Sequence, residues 1–240
     1  MKNPFEKQKP AFSFKRTLIA VPTTGTLLPA MVNDLISLIC HSRNWRTFHT
    51  VDNCVIQDAR NQAVKRMYEN DCDGILFIDS DQTFPNTALE TLIETHKDIV
   101  GYPIIRKAPP YYPNISRFNE ETKDFEIYED YPKNNLFKVA YIGMGFVYIR
   151  RAVFEAMDKK FGDHIYFDFG WYESDKYKKG DKMIGEDVFF CMRAKECGFD
   201  IWVNPFVKIG HIGNFCYTPE LHENYARVLA KAEVKKDGKG

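Results

Sequence analysis

The sequence has no excess of either charge: 33 basic residues balance 33 acidic ones. Chains built to hold nucleic acid usually carry a basic surplus, so nothing global argues for a polyanionic partner. It also has no Cys-x-x-Cys pair and no His-x-x-x-His partner, which excludes the common structural zinc frameworks. The six cysteines, at 40, 54, 72, 191, 197 and 216, have apolar or helical neighbours and read as buried free thiols of a reducing compartment. Residues 1–15 lack an apolar core of signal-peptide length, and no run approaches the ~20 apolar residues of a membrane span. A soluble, cytoplasmic protein is expected. No internal repeat and no interior linker divides the chain.

What is present is an alternation of strand and helix patterns. Residues 17–21 form a short apolar β run stopped by Pro22, and Leu28, Met31, Leu35 and Ile39 then recur at helical spacing. A second strand is expected at 48–55, followed by a helix capped by Asp58 with Ala59, Ala63 and Met67 on one face. Residues 74–78 are continuously apolar, as in a strand covered on both faces. A helix over 87–96 and a strand over 98–102 complete a βαβαβα series, which argues for a doubly wound nucleotide-binding layer. Residues 107–136 read as an excursion or hairpin, 139–149 as strand around Gly143 and Gly145, and 151–157 as a short helix. The aromatic, charged stretch 161–183 reads as a long functional loop. A helix over 186–197 should close at Gly198, followed by short strands at 201–203 and 207–209 and a terminal helix over 219–235. The expected organisation is a flexible leader at 1–15, one domain over 16–217 and a C-terminal helix and tail over 218–240.

Three short segments carry chemistry. Asp79-Ser80-Asp81 follows an apolar strand directly, at the carboxyl end where open α/β sheets bind ligands. Two carboxylates so placed can face one divalent cation and one ribose, and Mg2+ or Mn2+ prefers such hard oxygen ligands. A polar turn would use the same residues. Gly185-Glu186-Asp187 opens a helix, where acidic residues also serve the helix dipole. His211, between Gly210 and Gly213, is able to supplement carboxylates on Mn2+.

The order of these segments resembles that of GT-A-fold glycosyltransferases, and most of all the small single-domain forms of bacteria and bacteriophages. Phe77-Ile78-Asp79-Ser80-Asp81, Ala59-Arg60-Asn61, Gly143-Met144-Gly145-Phe146, Gly185-Glu186-Asp187 and Gly210-His211 carry the likeness, which spans about residues 16–215. It implies a Rossmann-like mixed sheet flanked by helices, with a donor half over 16–105 and a smaller acceptor-side region over 106–217. It further implies a hexosyl- or pentosyltransferase with Mn2+ or Mg2+ as cofactor and a nucleotide-sugar donor, foremost a UDP-sugar. Pro22, Thr23, Thr24, Arg60, Asp79, Ser80 and Asp81 would bind the donor. Asp81 and His211, with Asp79, would hold the metal. Asp187 would be the general base, with Glu186 positioning acceptor or sugar.

Trp171, Tyr172 and Lys178 fall in the aromatic stretch and are candidate acceptor contacts. Rings there stack on sugars or exposed bases and lysines meet phosphates, while an equally plain reading has the rings pin a loop and the lysines keep it solvated. A hydroxymethylated DNA base in a phage setting is one acceptor of this kind. Two further readings stay open. Asp79-Ser80-Asp81-Gln82-Thr83 also resembles the Asp-x-Asp-x-Thr motif of haloacid-dehalogenase phosphatases, with Asp79 as nucleophile, although a βα unit precedes it here. The other is a nucleotide-binding scaffold without turnover. A nucleotidyltransferase would need a Gly-rich, Arg-containing loop after the first strand, which residues 22–29 lack.

Overall fold

The apolar run Gly74–Ile78 is a strand whose five residues are all buried. In the computed structural model it sits near the middle of a mixed sheet. The structure describes residues 16–237 apart from 24, 52–53, 123, 175–176 and 214–215, and the side chains at 46, 51, 172–182 and 230–237 are not among those described. In chain order the elements begin β1 (Thr17–Pro22), α1 (Pro29–His41), β2 (Trp45–Val51), α2 (Ile56–Glu69), β3 (Gly74–Ile78). They continue through β4 (Gln82–Thr83), α3 (Ala88–Ile93), β5 (Ile99–Gly101), the pair β6 (Ile115–Asn119) and β7 (Asp124–Ile127), and then β8 (Phe137–Val139), β9 (Tyr141–Ile142), β10 (Phe146–Arg150), α4 (Arg151–Phe161). The last are β11 (Gly170–Ser174), β12 (Tyr177–Ile184), α5 (Glu186–Glu196), β13 (Ile201–Val203), β14 (Gly210–Ile212), β15 (Cys216–Tyr217) and α6 (Pro219–Asp237).

Seven strands pair in the order β2-β1-β3-β10-β5-β13-β8. β1 runs parallel to β2 and β3, and β13 runs parallel to β5. β10 lies antiparallel between β3 and β5, which makes the sheet mixed. The period of two along each strand divides the core. Leu18, Ala20, Ile75 and Phe77 pack with Ala63, Val64 and Met67 of α2, and with α4 and α5. Ile19, Val21, Leu76 and Ile78 pack on the other face with Met31, Leu35 and Leu38 of α1 and Leu89 and Leu92 of α3. Phe77 meets Phe167 edge-on at 5.4 Å, and Phe167 stacks on Phe190 at 4.8 Å. Burying a ring of this size contributes roughly 1.5–3 kcal/mol. These rings therefore tie the sheet to the segment that leads into β11 and α5.

Several expectations change. Asp58 does not cap α2; Val55 precedes the helix without a side-chain cap, and Asp58 lies in the first turn, where an acid still favours the dipole. The span 139–149 is not one strand. It divides into β9, paired with β6, and β10 in the main sheet, with Gly143 and Gly145 in the turn between them. The stretch read as a long loop contains a hairpin, β11 with β12. Trp171 pairs with Met183 there and both are exposed, while the neighbouring Ile184 is buried. Strand structure falls on Gly210–Ile212 rather than 207–209. Cys40, Cys54 and Cys216 are exposed, unlike the buried Cys72 and Cys191, so the thiols are not uniformly core residues. As expected, α5 ends at a glycine with positive φ, Gly198 at +88°. The leader 1–15 lies outside the described residues, and among those described no helix is long and apolar enough to cross a membrane.

Candidate functional site

Asp79 leaves β3 at its carboxyl end. Its amide donates to the Gly145 carbonyl at 2.9 Å, which ties the strand end to the turn before β10. Gly145 is needed there for space, since a Cβ would stand 2.7 Å from Ile104 Cδ1 and 3.1 Å from Asp79 Oδ2. The Asp79 carboxylate is engaged by Arg60 of α2, whose Nη2 lies 3.1 Å from Oδ1. The other terminal nitrogen of Arg60 pairs with Glu186, the first residue of α5. Arg60 is only 3% exposed and its Nε has no partner, so a buried guanidinium is held between two carboxylates from different parts of the chain.

Asp81 faces the other way. Its backbone carbonyl accepts the Ile212 amide at 2.7 Å, and β14 pairs with β4 so that His211 sits beside Gln82. That small sheet brings His211 Nε2 within 3.4 Å of Asp81 Oδ1. The other imidazole nitrogen, Nδ1, is 2.8 Å from the Ile105 carbonyl. A carbonyl only accepts, so Nδ1 carries a proton, and Nε2 faces Asp81 as a donor in the imidazolium or as a lone pair in the neutral ring. Beside the carboxylate, Nε2 suits either a proton directed at Asp81 Oδ1 or a cation shared with it. The Lys107 ammonium pairs with the second Asp81 oxygen, Oδ2. Burial works to raise the Asp81 pKa, but the hydrogen bonds and charges of His211 and Lys107 outweigh it and hold it at about 2.

Asp187 is the second residue of α5, and its Oδ1 accepts the Val188 amide at 2.7 Å. Burial raises its pKa, and the neighbouring Glu186 carboxylate adds to the effect, against the opposing pull of the Val188 amide and Arg60. A carboxyl tuned upward is better matched to taking a proton near neutral pH than an ordinary aspartate.

Two cavities meet at this cluster. One of about 370 Å3 is lined by Pro22, Thr23, Ile56 and Ser80, together with Asp79 and Asp81. The other, of about 210 Å3, is lined by Gln82, Asn114, Gly143, Gly145, Asp187 and His211. Arg60, Asp79 and Glu186 border both, forming the wall between them. A wider depression of about 600 Å3 lies elsewhere, along Tyr68, Asp158, His164 and Tyr166. There Asp158 is already engaged by both tyrosine hydroxyls and by His164, so the chemistry lies with the smaller pair.

The structure thus brings together Pro22, Thr23, Arg60, Asp79, Ser80, Asp81, Glu186, Asp187 and His211. The three expected metal ligands do not converge. Among the described residues no group of three His, Cys, Asp or Glu side chains is placed to share an ion, because Asp79 is turned to Arg60 while Asp81 and His211 face each other. Trp171 stands exposed on β11, in the hairpin that leads into α5. Thr24 lies outside the described residues, as do the side chains of Tyr172 and Lys178. Sequence reasoning missed Lys107, Gln82 and Asn114. Gln82 directly follows a recognised motif, but nothing local marks Asn114, which reaches Gly143 across 29 positions, or Lys107, which reaches Asp81 across 26.

No protein-family model and no curated protein sequence matches the chain. Among solved structures it is similar to A197 from STIV, with TM-score 0.53 and 18% identity over 85% of this chain and 91% of that one. It is also similar to GalNAc-T7, in a structure with UDP, GalNAc and Mn2+, with TM-score 0.53 and 10% identity. That match takes in 84% of this chain but 44% of GalNAc-T7, so the chain spans less than half the length of that protein. At such identities the likeness is one of fold, and the fold is GT-A-like.

Proposed function

We propose that this chain is a metal-dependent glycosyltransferase that moves a sugar from a nucleotide-sugar donor to an acceptor hydroxyl. One observation carries the reading: Asp81 and His211 converge at a strand end, and His211 lines the same cavity as the upward-tuned Asp187. The likeness to GalNAc-T7, whose structure holds UDP, GalNAc and Mn2+, supports a UDP-sugar as donor.

Asp81 Oδ1 and His211 Nε2 fit a Mn2+ or Mg2+ ion as oxygen and imidazole donors, with the tautomer set by Ile105. When bound, such an ion acts as a Lewis acid on the diphosphate leaving group. The chain's own residues do the rest. Pro22 and Thr23 wall the donor cavity, where the Thr23 hydroxyl is spent on the Thr26 carbonyl at 2.9 Å, so this loop meets the donor with backbone and ring surface. Asp79 and Glu186 are fixed by Arg60 and so position rather than transfer. Asp187 takes the acceptor hydroxyl proton as that oxygen bonds to the anomeric carbon and the diphosphate leaves. A single displacement of this kind inverts the anomeric centre. Trp171 offers an aromatic face to the acceptor.

The test is to incubate the chain with a panel of nucleotide-sugars, with and without Mn2+, and follow nucleotide release. Hydroxymethylpyrimidine DNA, simple sugars and lipid phosphates serve as acceptor arms. Metal-dependent release lost in Asp81→Ala supports the reading. Absence of release from every donor, with phosphate instead liberated from simple phosphoesters and that activity abolished by Asp79→Asn, would overturn it.

A further inference from the structure

Lys107, whose ammonium pairs with Asp81, is not used by the donor chemistry above. It lies on the loop between Ile105 and Pro113, which is closed at its base by a bridge between those two residues and by the Arg106 amide donating to the Tyr112 carbonyl at 2.9 Å. The base of the loop is fixed, and it also holds His211 through the Ile105 carbonyl. The stem of Lys107 passes over Gly213, where a Cβ would come within 3.2 Å of its Cδ. Its side chain is nevertheless a third exposed, and the ammonium ends a flexible four-carbon chain.

In this arrangement both oxygens of Asp81 are occupied. Oδ2 pairs with Lys107, and Oδ1 faces His211 and accepts from Gln82 Nε2 at 3.3 Å. A divalent cation arriving on Asp81 therefore meets an ammonium already on the same carboxylate, and like charges at that range repel. The repulsion is relieved only if Lys107 finds another anion nearby. A diphosphate bound at the metal is such an anion, and a lysine is a common phosphate partner.

We propose that Lys107 is an exchangeable counter-ion that leaves Asp81 for the donor diphosphate and so couples metal binding to diphosphate binding. The inference rests on the donor site proposed above. Lys107 opposes the metal when it arrives alone and favours it when the diphosphate is present, which is positive coupling between two ligands and must be reciprocal. The chain would then take metal and donor together rather than hold a resident ion.

The test uses the full chain and Mn2+ titrations read by the electron paramagnetic resonance of free Mn2+, with and without inorganic pyrophosphate. Wild type, Lys107→Gln, Lys107→Arg and Asp81→Asn are compared. Pyrophosphate should tighten Mn2+ binding to wild type. Lys107→Gln should bind Mn2+ alone more tightly, on the order of fivefold for the loss of one partly exposed ion pair. The gain from pyrophosphate should shrink by a similar factor in that variant and persist in Lys107→Arg. If Lys107 merely braces the loop, Lys107→Gln binds Mn2+ alone no better or worse than wild type, and the inference is overturned while loss of binding in Asp81→Asn still upholds the metal site. Undiminished Mn2+ binding in Asp81→Asn removes the metal site and this inference with it.

Discussion

Arg60 lies 3.1 Å from Asp79 while its other terminal nitrogen holds Glu186, so one buried guanidinium joins the end of β3 to the start of α5. The two carboxylates border both cavities, and their spacing depends on a cation that itself cannot be seen from solvent.

Arg60→Met should therefore cost stability. Breaking a buried ion pair costs about 3–5 kcal/mol, and the exposure of Asp79 reduces that to roughly 2–3 kcal/mol here. Chemical denaturation of the purified variant measures it. Arg60→Lys should recover only part of the loss, because a point charge cannot address both carboxylates as a planar fork does.

Asp187→Asn separates activity from stability. Turnover should fall by about a hundredfold or more with loss of the proposed general base. The Asp187 pKa is raised in the fold by burial and by Glu186, so folding favours its protonated form relative to the unfolded chain. Its contribution to stability is complete below the unfolded aspartate pKa and is lost as pH rises through the folded value. At neutral pH the wild type thus carries an ionised group the fold disfavours. The Asn variant should melt at a higher temperature near pH 7, and the difference should close below the ordinary aspartate range. A variant less stable than wild type at pH 7 and equally so at pH 4 would contradict this.

The same carboxyl sets the acid limb of the pH–rate profile, which should lie above the ordinary aspartate range. Arg60 opposes the upward shift of Asp187, so Arg60→Met should move that limb further toward neutrality.

Gly145→Ala places a methyl 2.7 Å from the Ile104 side chain and 3.1 Å from an Asp79 oxygen. Ile104 is able to yield in part, so the expected stability loss is about 1–3 kcal/mol, as for other overpacked sites. The more telling effect is on the donor constant, because the carboxylate is pushed from its place beside Arg60. Nucleotide affinity measured by calorimetry should fall more in Gly145→Val than in Gly145→Ala.

Trp171→Ala should leave the melting temperature nearly unchanged, within the ~0.5 kcal/mol typical of surface substitutions, since the ring is two-thirds exposed. Acceptor KM should rise while nucleotide release to water, measured without acceptor, stays as in the wild type. An unchanged acceptor KM would remove Trp171 from the acceptor site.

The strands and helices that build the donor side were legible because each is an uninterrupted apolar pattern of one period. Gly74–Ile78 and the stripe of α1 need no knowledge of their partners. The carboxylate triplet was legible for the same reason, standing where the pattern stops. Elements that read poorly depend on distant partners. β8, β9 and β10 follow one another closely in the chain yet enter two different sheets, which no local spacing records. The hairpin of β11 and β12 carries exposed Trp171 opposite exposed Met183, two large apolar side chains that face no core. Lys107 was hidden because its role comes from a contact across the fold rather than from its neighbours in a proline-rich stretch.

The short pairing of β14 with β4 has a consequence for biosynthesis. Asp81 and His211 are joined through main-chain hydrogen bonds between segments more than a hundred residues apart, so β14 leaves the ribosome well after the turn it joins. A nascent chain of about two hundred residues already displays the Asp79-Ser80-Asp81 turn but has no imidazole to set beside it. Truncations that remove β14 should therefore leave Asp81 without His211, and the proposed metal site should be complete only once β14 has been made.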